Sequence, residues 1–394
     1  MARFARRMSG VQKSFIREIL KVTASPDIIS FAGGLPNPAS FPIEAIGRAT
    51  EAVLSGAGKS ALQYSTTEGY APLREYIARR YAAKGVRVSP ENILITSGSQ
   101  QGLDLIAKVL LDEGDRVIIE RPGYLGAIQA LSMFQPRFVP VTMQDDGIDT
   151  ALLADALNQD CPKLFYAVTN FQNPSGITYS AQKRDLLARL MQGNDTVLVE
   201  DDPYGELRFM GDDVPPMGAL MEGNIVLLSS FSKIFSPGMR LGWVCAPEDI
   251  MERLIIAKQA CDLHTNSFSQ RVLYRYLCDN DIDAHIAGIR GLYRAQRVAM
   301  VGALERHFPA GTVFTKPEGG MFLWVTLPDG LSALELFDRA IARGVAFVPG
   351  DPFYVGQSNV PTLRLNYTNS DESDIERGIA RLGEAVAELA NTHV

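Results

Sequence analysis

Short apolar runs recur along the chain, separated by stretches in which apolar residues fall at helical spacing. Ile93-Leu94-Ile95-Thr96, Val117-Ile118-Ile119-Glu120, Leu164-Phe165-Tyr166-Ala167-Val168, Thr196-Val197-Leu198-Val199, Ile225 to Leu228 and Leu241-Gly242-Trp243-Val244-Cys245 show little polar alternation, and Arg137 to Val141 makes a seventh run. Near-continuous apolar runs of this length predict strands buried on both faces, as in a parallel sheet. Helical patterns lie between them, at 42–55, from Gly69-Tyr70-Ala71-Pro72 onward, over Leu103 to Leu111 and over 249–277. Strands alternating with helices predict an α/β protein with a mostly parallel seven-stranded sheet flanked by helices.

From about residue 285 the pattern changes. A helix at 285–307, the run Gly319-Gly320-Met321-Phe322-Leu323-Trp324-Val325, a helix over 332–343, the strand Thr362 to Tyr367 and a closing helix at 371–390 predict a smaller α+β domain. At the other end, Val11, Phe15, Ile16, Ile19 and Leu20 share one face of an amphipathic helix that carries Arg17. The expected division is an N-terminal arm with part of the small domain (1–45), a large domain (46–284) and the small domain (285–394). No internal repeat is evident.

In open α/β sheets, ligands sit beyond the carboxyl ends of the strands, and the polar residues of this chain gather in the loops there. Ile225 to Leu228 ends in Ser229-Ser230-Phe231-Ser232-Lys233, and Ser236-Pro237-Gly238-Met239-Arg240 follows. Burial disfavours a lysine's charge and lowers its pKa, so Lys233 reads either as a neutral amine able to form a Schiff base or as a strand-end lysine that reaches back to water. Hydroxyls and an arginine beside it suit a phosphate. An amine that attacks an aldehyde, next to an anion site, points to pyridoxal 5′-phosphate.

That cofactor needs further partners, and candidates stand at other strand ends. Asp201, three residues before Tyr204, suits the pyridine nitrogen, because an opposite charge favours the protonated ring. Asn173 and Tyr204 suit its phenolic oxygen, and Tyr124 is available to stack on the ring. Ser99, Gln100, Ser230, Ser232 and Arg240 are phosphate candidates; the first two open a helix after a strand, where backbone amides attract anions. Arg364, in an apolar strand where an arginine is costly, suits a substrate carboxylate, and Gly34 of the Gly33-Gly34 pair lets backbone approach a ligand closely. Taken singly, Asp201 reads equally as a helix cap, Asn173 as a turn former, Arg364 as an ion-pair partner and Tyr124 as a core ring, while the Gly33-Gly34 loop reads first as a plain turn and Ser97 to Gly102 as a simple helix cap.

Composition and charge remove alternatives. The net charge is −7 with no basic block, which argues against nucleic acid. The four cysteines and four histidines show no metal-ligand spacing. The cysteines read as free thiols of a reducing compartment. No apolar run approaches a membrane span, and Lys13, Arg17, Glu18 and Lys21 interrupt any signal-like segment after Arg3, Arg6 and Arg7. A cytoplasmic location is the expectation.

Asn173-Pro174-Ser175-Gly176, Asp201-x-x-Tyr204, Ser230-x-Ser232-Lys233, Arg240 and the late Arg364 resemble the class I/II, fold-type I pyridoxal-phosphate-dependent aminotransferases. Ser30 to Pro38, Leu62-Gln63-Tyr64-Ser65, Ser97-Gly98-Ser99-Gln100-Gln101-Gly102 and Glu200-Asp201-Asp202-Pro203-Tyr204 are similar to the 2-aminoadipate/kynurenine aminotransferase subgroup. The resemblance implies ping-pong transamination between amino acids and 2-oxo acids, with glutamate/2-oxoglutarate as one pair and Lys233 as the general base. It also implies a homodimer with shared active sites, in which Tyr64 reaches the partner's cofactor phosphate, and an N-terminal helix whose Arg17 meets a distal substrate carboxylate. Tyr124 stands where aspartate aminotransferases stack a tryptophan, and no second arginine of their kind is evident, so aspartate specificity is not implied. A β-lyase or decarboxylase on the same scaffold, or a non-catalytic regulator, are the alternatives. Residues 1–30 are too short for the winged-helix domain of the regulators in this subgroup. A nicotinamide-binding fold is disfavoured because Ser97 to Gly102 lacks the full glycine fingerprint.

Overall fold

The computed structural model describes residues 4–8 and 27–392, so the expected helix over 11–21 and Arg17 lie outside the described residues. The chain enters through the short strand β1 (Ile29–Ser30). The large sheet is built from β2 (Ile93–Thr96), β3 (Arg116–Arg121), β4 (Arg137–Gln144), β5 (Gly147–Ile148), β6 (Leu164–Ala167), β7 (Val197–Asp201), β8 (Ile225–Ser230) and β9 (Gly242–Cys245). Their spatial order is β2-β9-β8-β7-β6-β3-β4-β5. β8, β7, β6, β3 and β4 run parallel, and every residue of β2, β6, β7, β8 and β9 is buried. The seven strands expected from the apolar runs are all present. The eighth, β5, is a two-residue hairpin partner of β4, too short to leave an apolar pattern in the sequence.

β9 is antiparallel to both neighbours. The link from β8 to β9 carries Lys233 and Arg240, and it is too short for the helical crossover that a parallel pair needs. The functional loop therefore turns back at once onto the carboxyl edge of the sheet. The helix Ser99–Leu110 lies directly on β8 and β9: a Cβ on Gly102 would come within 2.4 Å of Leu228 Cδ1 and 2.9 Å of Val244 Cγ2. Only a glycine permits that approach, and it draws the helix N-terminus down to the strand ends.

The expected helical region 249–277 is two helices, Glu248–Asp262 and Ser267–Asp279. Leu263 breaks it with φ 63° and ψ −59°; apolar periodicity on both sides hides such a break, because the leucine is not a breaker by type. The C-terminal part of the chain adds β10 (Val313–Phe314), β11 (Phe322–Thr326), β12 (Val345–Ala346), β13 (Val348–Pro349) and β14 (Thr362–Asn366). β10-β11-β14-β13 form an antiparallel sheet, while β1 pairs parallel with β12. The N-terminal segment is thus tied to the C-terminal part of the chain. Among the described residues no helix is long and apolar enough to cross a membrane, and no group of side chains is placed to hold a metal ion.

Candidate active site

A cavity of about 310 Å³ opens at the carboxyl ends of β6, β7 and β8, beneath Phe322 of β11 and Arg364 of β14. Twelve of the residues picked out in the sequence line it: Gly34, Ser99, Gln100, Tyr124, Asn173 and Asp201, together with Tyr204, Ser230, Ser232, Lys233, Arg240 and Arg364.

Lys233 lies on the turn after β8. Its Nζ donates to the carbonyl of Gly34 at 2.8 Å. The residue is half-buried and lines the cavity. Burial, with the nearby positive charges of Arg364 and Arg240, pulls its pKa from 10.5 down to about 8. At pH 7 about a tenth of the amine is then neutral, far more than for an ordinary lysine, and the neutral form is what a nucleophile or a base requires.

Asp201 ends β7 and is 2% exposed. Its Oδ2 accepts the hydroxyl of Tyr166 at 2.7 Å, while Oδ1 is buried without a hydrogen-bond partner. Burial pushes the carboxyl up to about 7, against the pull of the Tyr166 bond. An orphaned carboxylate oxygen beside a cavity is costly in isolation. A protonated ring nitrogen is the kind of donor that fits it.

Asn173 and Tyr204 face each other in the same cavity. Asn173 Oδ1 accepts from Arg364 Nη1 at 2.9 Å, and its side chain lies close enough to the Tyr204 hydroxyl to act on its pKa. Burial keeps that hydroxyl protonated well above the usual phenol range. Arg364 is 2% exposed; Nη2 donates to the carbonyl of Ala32 at 2.7 Å, Nε has no partner, and the guanidinium lies 4.3 Å over the Phe322 ring. Burial lowers its pKa to about 10, so it remains a cation at neutral pH. A buried guanidinium with spare donors suits a carboxylate. The Tyr124 hydroxyl is pushed up to about 12 by burial, and a Cβ on Gly126 would meet that ring at 2.5 Å.

The anion end lies opposite. Gly98, at φ 77°, is the N-cap of the helix Ser99–Leu110 and has no side chain to satisfy the first-turn amides. Arg240, itself at φ 53°, donates through Nη2 to the carbonyl of Ser97 at 3.2 Å. Ser230 Oγ donates to Ser232 Oγ at 2.8 Å. Free amides, hydroxyls and a guanidinium converge as a phosphate requires. These residues therefore fit pyridoxal phosphate at its phosphate, its ring nitrogen and its aldehyde end.

Tyr64 is not in this cavity. It is 79% exposed and meets His264 edge-on at 5.8 Å. Two site residues were not read from the sequence. Tyr166 looked like one more apolar strand position, although a tyrosine hydroxyl in a fully buried strand needs a partner. Phe322 looked like ordinary core after a double glycine, yet it closes the cavity over Arg364 and stands edge-on to Tyr204 at 6.0 Å.

The family model for aminotransferases of class I and II matches residues 27–382. The chain is 42% identical to aromatic-amino-acid aminotransferase 1 of Thermococcus litoralis, over 98% of this chain and 94% of that one. Among solved structures, the kynurenine aminotransferase of Pyrococcus horikoshii, in complex with PMP, KYN as substrates and KYA as products, superposes with a TM-score of 0.93 at 42% identity, covering 98% of this chain and 97% of that one. The alpha-aminoadipate aminotransferase of Thermus thermophilus, complexed with N-(5′-phosphopyridoxyl)-L-leucine, gives 0.93 at 40% identity, covering 99% and 98%.

Proposed function

The chain belongs to the class I and II aminotransferases, and from that premise we propose how its residues divide the work and which substrates it takes. It is a pyridoxal-phosphate enzyme that moves an amino group between an amino acid and a 2-oxo acid. When bound, the cofactor supplies the aldehyde that takes up the amino group and the ring that accepts the electrons released at the substrate Cα. Everything else falls to the chain. Arg364 holds the substrate α-carboxylate between Asn173 and the Phe322 ring. Lys233 anchors the cofactor's aldehyde end and, once released, takes the proton from the substrate Cα and returns it to the cofactor side. Asp201 keeps its negative charge against the ring nitrogen, Asn173 and Tyr204 hold the phenolic oxygen, and Tyr124 covers the ring. Ser99, Gln100, Ser230, Ser232 and Arg240 hold the phosphate, and the backbone of Gly34 borders the substrate. The observation that carries this reading is the meeting, in one cavity, of a lysine depressed to about 8, a buried aspartate with a free oxygen and a buried arginine with spare donors.

For the substrates, we infer glutamate/2-oxoglutarate as one pair and an amino acid of the aminoadipate or aromatic type, or a branched one, as the other. The names of the relatives support the aromatic and aminoadipate types. The resemblance to the aminoadipate/kynurenine subgroup assigns the distal carboxylate of an acidic substrate to Arg17 in this reading. The test is a half-reaction screen: each amino acid is added to the holoenzyme, and the cofactor's visible absorbance is followed together with the products. Conversion of the cofactor to its amine form with an equivalent of 2-oxo acid is the expected result. Release of ammonia or CO₂ instead would assign a lyase or a decarboxylase.

The same reading makes the enzyme a homodimer in the cytoplasm. The exposed Tyr64, with Leu62 and Leu263 also exposed, supports a second copy covering this face, and free cysteines suit a reducing compartment. Tyr64 then serves the partner's phosphate. Tyr64→Phe and Lys233→Ala chains, each impaired alone, are expected to recover activity when mixed, because one site per heterodimer inherits both native residues. A fully active monomer in sedimentation at assay concentration would end this assignment.

A further inference from the structure

Lys258 is 0% exposed and pairs through Nζ with both carboxylate oxygens of Asp262, at 2.7 and 2.9 Å. Nothing described above uses this pair, and it sits at a costly place. Asp262 is the last residue of its helix, where the dipole disfavours an acid, and the next residue, Leu263, takes φ 63°, a conformation that a leucine adopts at a cost. A fully buried lysine needs its partner. What the cluster secures is Gln101. Its Nε2 donates to Asp262 Oδ2 at 2.6 Å, and its Oε1 receives Lys258 Nζ at 3.3 Å.

Oriented in this way, Gln101 Oε1 accepts the backbone N–H of Ser97 at 2.7 Å. Gln101 is the third residue of the helix, and it reaches back as the N3 side chain of a capping box does, but one residue further, past the N-cap to Ser97. The reciprocal bond from an N-cap side chain is missing, because the N-cap is Gly98. The entering chain is therefore fixed while the first-turn amides stay free for a ligand. Ser97 is held on its other side too, since its carbonyl accepts from Arg240. The two ends of one peptide residue are clamped, one by a phosphate candidate and one by Gln101.

We propose that Gln101, locked by the buried Lys258 and its half-buried partner Asp262, is the positioning residue of the phosphate-binding turn. It touches no part of the cofactor; it holds Ser97 and Gly98 so that the amides of Ser99 and Gln100 aim at the phosphate. The proposal rests on the phosphate site assigned above.

The test compares pyridoxal phosphate with pyridoxal, which lacks the phosphate but keeps the aldehyde, ring nitrogen and phenolic oxygen. The full chain is stripped of cofactor and titrated with each, reading tryptophan fluorescence quenching. Gln101→Met is expected to weaken pyridoxal phosphate by ~10–10²-fold, the scale of losing hydrogen bonds to a charged group, and to leave pyridoxal within about twofold, since its contacts do not involve the turn. The double variant Lys258→Met, Asp262→Leu removes the pair without leaving a buried charge. It is expected to show the same selectivity with a smaller loss, and it decides the matter if Gln101→Met does not fold. Equal losses for both ligands, or no loss in a folded variant, overturn the positioning role. A native chain that binds both ligands equally well overturns the phosphate site itself and the proposal with it.

Discussion

Lys233→Ala is expected to lower turnover by at least ~10⁴-fold, because a positioned general base alone contributes about 10²–10⁴ and the covalent anchor goes with it. The argument starts from the environment of the amine. Its Nζ is held by the carbonyl of Gly34 and stands near Arg364 and Arg240, and burial with those two charges brings its pKa to about 8. The folded value lies below the ordinary 10.5, so folding releases a proton between pH 8 and 10.5. The cost of the buried ammonium is full below pH 8 and fades as the pH rises through that window. Removing the amine therefore makes the cofactor-free chain more stable at pH 7 while destroying catalysis. Two measurements check this. Borohydride reduction of the native holoenzyme followed by peptide mass spectrometry should place the reduced cofactor on Lys233. Thermal unfolding of the two cofactor-free chains at pH 7 should show the alanine variant at least as stable. Cofactor fixed on another lysine would remove the assignment.

Asp201→Asn is the second large effect. The carboxylate is buried with one oxygen bonded to Tyr166 and the other unpartnered, and burial raises its pKa from 3.8 to about 7. Here the native state binds more protons than the unfolded chain between pH 4 and 7, so stability of the cofactor-free protein falls as pH rises through that window and stays low above it. Asparagine keeps an acceptor for the Tyr166 hydroxyl and removes the buried charge. The cofactor-free variant should therefore be more stable than the native chain at pH 7–8, with a flatter pH profile, by up to a few kcal/mol at about 1.36 kcal/mol per pKa unit. With cofactor bound the order reverses, because the ring nitrogen loses its charged partner. Turnover should fall by roughly 10²-fold, the upper end for a charged hydrogen bond of about 1.5–3 kcal/mol, and cofactor content should fall less. Native turnover in the variant, or superimposable pH–stability profiles of the cofactor-free chains, would exclude the role.

Both residues are legible in the amino-acid sequence, and the reason is architectural. Parallel strands buried on both faces leave unbroken apolar runs, so Leu198-Val199 before Asp201 and Leu227-Leu228 before Ser230 and Lys233 mark strand ends in one dimension. Ligands of such sheets gather at those ends, which joins loops far apart in the chain without knowledge of their distances. Polar residue types then narrow the chemistry, since a lysine, an acid and an arginine at buried ends each need a partner.

What remained hidden depends on distances that sequence order does not carry. Arg364 and Asn173 meet at 2.9 Å although they lie 191 residues apart, and only the packing of the small sheet over the large one brings them together. Tyr166 reads as another apolar strand residue until β6 and β7 are in register and its hydroxyl falls on Asp201. The helix break at Leu263 and the hairpin strand β5 follow from local backbone conformation that residue type does not announce. The amino-acid sequence by itself determined the α/β class, the strand ends and the set of reactive side chains, because each is a property of local pattern and residue type. The tertiary structure alone decided which oxygen of Asp201 stays free, how far Lys233 is depressed and what locks Gln101. Those are consequences of desolvation and of hydrogen-bond geometry between distant segments, and they exist only once the chain has folded.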